Sequence, residues 1–156
     1  KVIKGCEIVF ISIGTTQSKV KWNLNKYREI DYGIPIAIAK ASKECHVNKI
    51  LLVSSAGANI NAKGFYLSLK GEIEKSLIDL NIKNTFIFRP SLLLGNRKEN
   101  RFGEKIAQII MPIFCFLLPK EYWPIHAQKV AFCMVSLSKT VINSTKTYHY
   151  QDIIND

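Results

Sequence analysis

Hydrophobic positions in this chain fall into short continuous runs, with stretches of helical period between them. "EIVFISIG" (7–14) is an apolar run closed by Gly14, the pattern of a strand buried on both faces of a parallel sheet. "KILLVSS" (49–55) and "NTFIFRP" (84–90) read the same way, the second stopped by Pro90. "KTYHY" (146–150) is a fourth, shorter strand. Asp31 is placed to cap a helix that takes Pro35 in its first turn and runs to about Cys45. In 65–81, Leu69, Ile73, Leu77 and Leu80 share one helical face. A last helix is expected from Ala127 to Ser138. Strand and helix alternate three times, which predicts an α/β fold, a doubly wound and mainly parallel sheet with flanking helices.

A length of 156 residues suits one domain. Within 1–156, residues 1–90 carry sheet and helices, 91–125 form a mixed region on the substrate side, and 126–156 hold the final helix and strand. The first strand poses a packing problem. Residues 8–13 are predominantly apolar and belong in the middle of a sheet, yet nothing before them in this chain can cover them. An uncovered apolar edge invites aggregation. A preceding segment missing from this chain, or another chain, is therefore expected to cover strand 8–13.

Composition adds constraints. The net charge is +10, but the lysines are spread along the chain without a basic block. The 22 isoleucines and 11 asparagines indicate a coding bias that also raises lysine. No basic stripe interleaved with aromatics is present, so no specific nucleic-acid partner is expected. Cys6, Cys45, Cys115 and Cys133 lack C-x-x-C spacing and do not cluster with the histidines, so no metal site is expected. Cys6 and Cys133 lie in mainly apolar runs and read as buried thiols of a reducing compartment, which points to the cytoplasm. No signal-peptide pattern is visible at the start. The longest apolar run, "IAQIIMPIFCFLLP" (106–119), is too short to span a bilayer, is broken by Pro112, and suits a pocket-lining helix.

The candidate chemistry centres on "FYLSLKG" (65–71), where Tyr66 and Lys70 stand four apart. With six tyrosines and 18 lysines, about one such pair arises by chance, so the spacing needs its context. That context is a strand ending in Ser54 and Ser55, then a short loop, then the helix. Such a segment brings strand-end hydroxyls to the carboxyl edge of a parallel sheet, where ligands of open α/β sheets bind. An ammonium beside a tyrosine favours phenolate, so the pair suits acid/base work with a serine holding a substrate oxygen. In "GNRKENR", Arg97 and Arg101 flank Glu99, either as exposed loop ion pairs or as an arginine fork for an anionic substrate group or cofactor phosphate. Glu104 reads as first-turn helix chemistry, and His126, without a carboxylate or cysteine partner nearby, as structural.

Five stretches resemble the short-chain dehydrogenase/reductase superfamily, in particular its atypical Tat-interacting-protein-like oxidoreductases. They are "FISIGTT" (10–16), "VSSAGAN" (53–59), "YLSLKGEIE" (66–74), "FRPSLLLGNRKENRFGE" (88–104) and "PIHAQKVA" (124–131), and together they cover nearly the whole chain. The resemblance implies a Rossmann-like domain that binds NAD(P)H and transfers a hydride to or from a small carbonyl or alcohol substrate. Tyr66 would be the acid/base, Ser55 the substrate-oxygen serine with Ser54 the alternative, and Lys70 the residue that holds the nicotinamide ribose and tunes Tyr66. Gly14, Thr15, Thr16 and Ser54 would border the cofactor, and Arg89, Pro90, Ser91 and Leu92 its nicotinamide end. The family's first strand and Gly-rich pyrophosphate turn are not in this sequence, which looks like the later part of such a domain. Between Asp31 and Cys45 there is also no asparagine for the fourth catalytic position the superfamily often has. A regulatory protein that binds NAD(P)H without turnover is the alternative the resemblance leaves open.

Overall fold

The structure, a computed structural model, describes residues 3–95, 119–140 and 142–155. Arg97, Glu99, Arg101, Glu104, Cys115 and nearly all of the run 106–119 lie outside them. The strands are β1 (Ile8–Ile11), β2 (Lys49–Val53), β3 (Asn84–Phe88), β4 (Leu93–Leu94), β5 (Ile125–His126) and β6 (Thr145–Tyr148). The helices are α1 (Leu24–Arg28), α2 (Ile34–Glu44), α3 (Phe65–Asp79), α4 (Ala127–Ser138) and α5 (Tyr150–Asn155). Strands β1, β2, β3 and β6 form one sheet in that order, every neighbouring pair parallel. A separate two-stranded parallel ribbon pairs β4 with β5.

Alternation along the strands divides the core into two layers. Ile11, Ile50, Leu52 and Ile87 cluster with Ile36 and Ala39 of α2 and with Leu69, Ile73 and Leu77 of α3. Leu51, Phe86, Phe88 and Tyr148 cluster on the other side with Val130, Cys133, Met134 and Leu137 of α4 and Ile153 of α5. β2 and β3, covered on both faces, account for the continuous apolar runs. β1 stands at the edge of the sheet, not in its middle, and Phe10 remains 48% exposed.

The expected strands overrun their ends. Ladder pairing stops at Ile11, Val53, Phe88 and Tyr148, so Gly14, Ser54, Ser55 and Pro90 emerge beyond the sheet's carboxyl edge. The first helical region also begins earlier than expected. Asn23 caps α1, its side chain accepting the Lys26 amide at 3.0 Å. The chain then passes through a π-helical turn, Glu29–Gly33, into α2. Asp31 is therefore no cap: it lies inside that turn, 1% exposed. Pro35 supplies a physical reason for the turn. It has no amide to donate, and its ring would crowd the carbonyl four residues back in a regular helix.

The buried Lys49 joins the sheet to the end of α4. Its ammonium donates to the carbonyls of Leu137 at 3.2 Å, Ser138 at 2.6 Å, and Thr140. A cation there complements the carbonyls at the C-terminal end of the helix. Cys133 is buried as expected, but Cys6 is exposed, because the run that contains it is a turn before β1 begins. Among the described residues, no helix is long and apolar enough to cross a membrane, and no cluster of three or more potential metal ligands occurs.

Candidate functional site

The carboxyl ends of β1, β2 and β3 open into a cleft of about 600 Å³. Ser12, Gly14 and Thr15 line it from the segment after β1, Ser54 and Ser55 from that after β2, and Pro90, Ser91 and Leu92 from that after β3. Tyr66 and Lys70 face it from α3, and Asp31 from the π-helical turn. The fold thus brings most of the sequence-derived candidates to one place. Thr16 and Arg89 are not among the lining residues. The Thr16 hydroxyl turns instead to Ser18 at 3.1 Å and accepts the Lys19 amide at 3.4 Å.

Tyr66 sits in the first turn of α3 and is 41% exposed, whereas Lys70 is buried. The Lys70 ammonium lies 5.8 Å from the centre of the Tyr66 ring and 3.5 Å from Asp31 Oδ1. Asp31 Oδ2 accepts the Thr15 amide at 2.8 Å, and the Thr15 carbonyl accepts the Tyr27 hydroxyl at 3.3 Å. Burial pushes the Asp31 carboxyl above its ordinary range, and the Thr15 amide and Lys70 pull it back only in part.

The two serines separate as strand alternation requires. Ser54 is buried and donates to Glu74 Oε1 at 2.5 Å, while Ser55 is half-buried and reaches only its neighbouring carbonyl, Ala56 O, at 3.3 Å. Glu74 also holds Arg89 in a fork, Nε to Oε1 at 3.0 Å and Nη2 to Oε2 at 2.5 Å. That pair holds Arg89 in its charged form. Ser54 and Arg89 therefore hold α3 to the strand ends, whereas the Ser55 hydroxyl makes only a bond to its own neighbour's carbonyl. Ser91 donates to the Trp123 carbonyl, and Ile125 N to the Leu92 carbonyl at 3.0 Å, tying the β4–β5 ribbon beside the cleft. His126 is exposed and makes no side-chain cap for α4.

Gly71, next to Lys70, decides how closely α3 approaches the loop after β2. A Cβ at this position would lie 2.2 Å from Ile60 N and 2.4 Å from the Asn59 carbonyl carbon. The Asn59 amide donates to Leu67 O at 3.1 Å, and the Ser68 hydroxyl donates to Ile60 O at 3.0 Å. Asp31 and Glu74 are the site residues that the sequence reading missed. Their partners lie 39 and 15 residues away, beyond any local pattern.

No protein-family model matches the chain. It is 35% identical over 143 residues to "Protein FMP52, mitochondrial" of Coccidioides immitis, covering 90% of this chain and 58% of that protein. It is 43% identical over 97 residues to the protein of the same name from Candida glabrata, covering 62% of this chain and 41% of that protein. The chain thus spans about half the length of the curated relatives it matches. Among solved structures, the fold resembles a UDP-N-acetylglucosamine 4-epimerase from Methanobrevibacter ruminantium, with TM-score 0.70 and 16% identity over 95% of this chain and 56% of that one. It also resembles MoeE5 in complex with UDP-glucuronic acid and NAD, with TM-score 0.68 and 11% identity over 98% and 62%. A third is a dTDP-4-dehydrorhamnose reductase from Bacillus anthracis in complex with NADP, with TM-score 0.65 and 15% identity over 92% and 56%. The architecture is Rossmann-like.

The expected cytoplasmic location does not stand, because the relatives are named as mitochondrial proteins. Cysteine spacing does not distinguish one reducing compartment from another.

Proposed function

We infer that this chain is the nicotinamide and substrate side of an NAD(P)H-dependent oxidoreductase of the short-chain dehydrogenase/reductase type, akin to the Tat-interacting-protein-like branch. The observation that carries this reading is the convergence of Ser55, Tyr66 and Lys70 on one cleft at the carboxyl edge of a parallel sheet. The Rossmann-like neighbours seen with NAD or NADP support the cofactor class. The relatives' names support a mitochondrial setting.

The donor set in the cleft fits a nicotinamide end. Lys70 would hold ribose hydroxyls, Gly14 and Thr15 would border the ring, and Pro90, Ser91 and Leu92 would lie against its other side. When bound, the cofactor supplies hydride exchange with a carbonyl or alcohol carbon. The Ser55 hydroxyl holds the substrate oxygen. Tyr66 gives that oxygen a proton in reduction and takes one in oxidation, and the Lys70 ammonium stabilises the phenolate left behind. A Gly-rich turn for the pyrophosphate is not in this sequence. The open edge of β1 is the place where a further strand carrying such a turn would pair.

The test uses the full-length protein with NADPH or NADH, a panel of carbonyl compounds, and nicotinamide absorbance as readout. Wild-type protein should oxidise the cofactor with at least one carbonyl. Tyr66→Phe should lower turnover by about 100-fold or more, as expected for loss of a general acid, and leave cofactor affinity nearly unchanged. Cofactor binding without oxidation across the panel would favour the regulatory alternative.

A further inference from the structure

We propose that Asp31 is a positioning residue of this site, tying the Gly14–Thr15 turn to Lys70 across the cleft. The inference rests on the role given to Lys70 above and adds the group that fixes it. One Asp31 oxygen accepts the Thr15 amide at 2.8 Å and the other lies 3.5 Å from the Lys70 ammonium. The carboxyl group is 1% exposed and lines the cleft. A neutral Asn or Ser would serve the Thr15 amide without the cost of burying a charge. A carboxylate there is explained by the cation facing it. Arg28 is paired with Glu72 at 2.5 Å and Arg89 with Glu74, which leaves Lys70 as the cation that meets Asp31.

Asp31 occupies the π-helical turn just before Pro35, and such turns recur at functional sites. Gly14 adjoins the same carboxyl: a Cβ there would stand 3.5 Å from Asp31 Oδ1, in ordinary contact. The carboxylate takes up one side of an ammonium that has three hydrogens. Lys70 also lines the cleft, with its ammonium 5.8 Å from the centre of the Tyr66 ring. Asp31 thus acts from the π-helical turn through Lys70.

The experiment is a double-mutant cycle in the full-length protein, with Asp31→Asn, Lys70→Met and the double variant. Two quantities are read: the unfolding constant in urea, and the NADPH dissociation constant from nicotinamide fluorescence. Contacting charged partners should show about tenfold coupling in the unfolding constant. Asp31→Asn should weaken NADPH binding several-fold in the wild-type background and cause no further loss in the Lys70→Met background. A purely structural Asp31 would weaken binding equally in both backgrounds, and that result overturns the proposal. Should Asp31→Asn alone not fold, the double variant should still be more stable than Lys70→Met, which strands a buried carboxylate. A double variant no more stable than Lys70→Met also overturns it. Wild-type protein that binds neither NADPH nor NADH removes the oxidoreductase reading alone, and the unfolding cycle then decides whether Asp31 holds Lys70.

Discussion

Arg89 and Glu74 meet in a two-pronged ion pair, with Nε 3.0 Å from Oε1 and Nη2 2.5 Å from Oε2. The carboxylate comes from α3, one turn beyond Lys70, and the guanidinium from the residue just after β3. The contact fixes the helix that carries Tyr66 and Lys70 against the strand ends that form the floor of the cleft. Such forks supply geometric precision as well as energy. Arg89, which the resemblance puts at the nicotinamide end, braces in this structure the helix that carries Tyr66 and Lys70.

Glu74→Gln should therefore destabilise the full-length protein by about 3 kcal/mol, the low end for breaking a buried pair, because the Arg89 side chain is 25% exposed. Urea unfolding measures it. A loss below about 0.5 kcal/mol, the range of ordinary surface changes, would show that the fork does not brace the fold.

The two adjacent serines should part company. Ser54→Ala removes a hydroxyl donated to a buried carboxylate and should cost about 1.5–3 kcal/mol of stability. Ser55→Ala should cost under about 0.5 kcal/mol but lower turnover by about 100-fold, as loss of one transition-state donor does. Parallel unfolding and absorbance assays on both variants check this, and the reverse pattern would exchange their roles.

Gly71→Ala tests the approach of α3 to the loop that follows β2. The added Cβ meets backbone atoms of Asn59 and Ile60 that have no side-chain freedom with which to yield. Overpacking of this kind costs about 1–3 kcal/mol, and Lys70 should shift with the helix. Thermal unfolding with cofactor titration should show both effects. Unchanged stability would mean that the loop moves aside freely.

Asp31 should leave a signature in the pH dependence of stability. Its folded-state carboxyl is raised, chiefly by burial, so the folded protein holds that proton more tightly than the unfolded chain does. The associated stability is fully present below an ordinary carboxylate pKa of 3.8 and is lost as pH rises through the folded value. Asp31→Asn cannot ionise. The difference in unfolding free energy should therefore move in favour of the variant as pH rises above about 4. A difference that stays constant as pH rises contradicts the raised carboxyl.

Much of this architecture was legible in the order of residues. β2 and β3 are covered on both faces, so their apolar runs stand out, and the Ala127–Ser138 helix has the bounds its pattern predicts. The short α5, the β4–β5 ribbon and the early start at α1 went unseen, because two to six residues carry no usable period. The edge position of β1 also escaped composition. Ile8–Ile11 has the pattern of a central strand, but strand order depends on which partners are present.

The sequence by itself determined the alternation of strand and helix, the Tyr66–Lys70 spacing on α3, and the arrival of Ser54 and Ser55 at a strand end. These are local periodicities set by backbone geometry. Tertiary structure alone decided which serine is held by Glu74, why Arg89 turns to Glu74, and that Asp31 meets Lys70 in place of capping a helix. Those outcomes depend on which charged groups are buried together, because a buried charge without a partner is too costly to keep. That cost is settled by contacts across the fold, not by spacing along the chain.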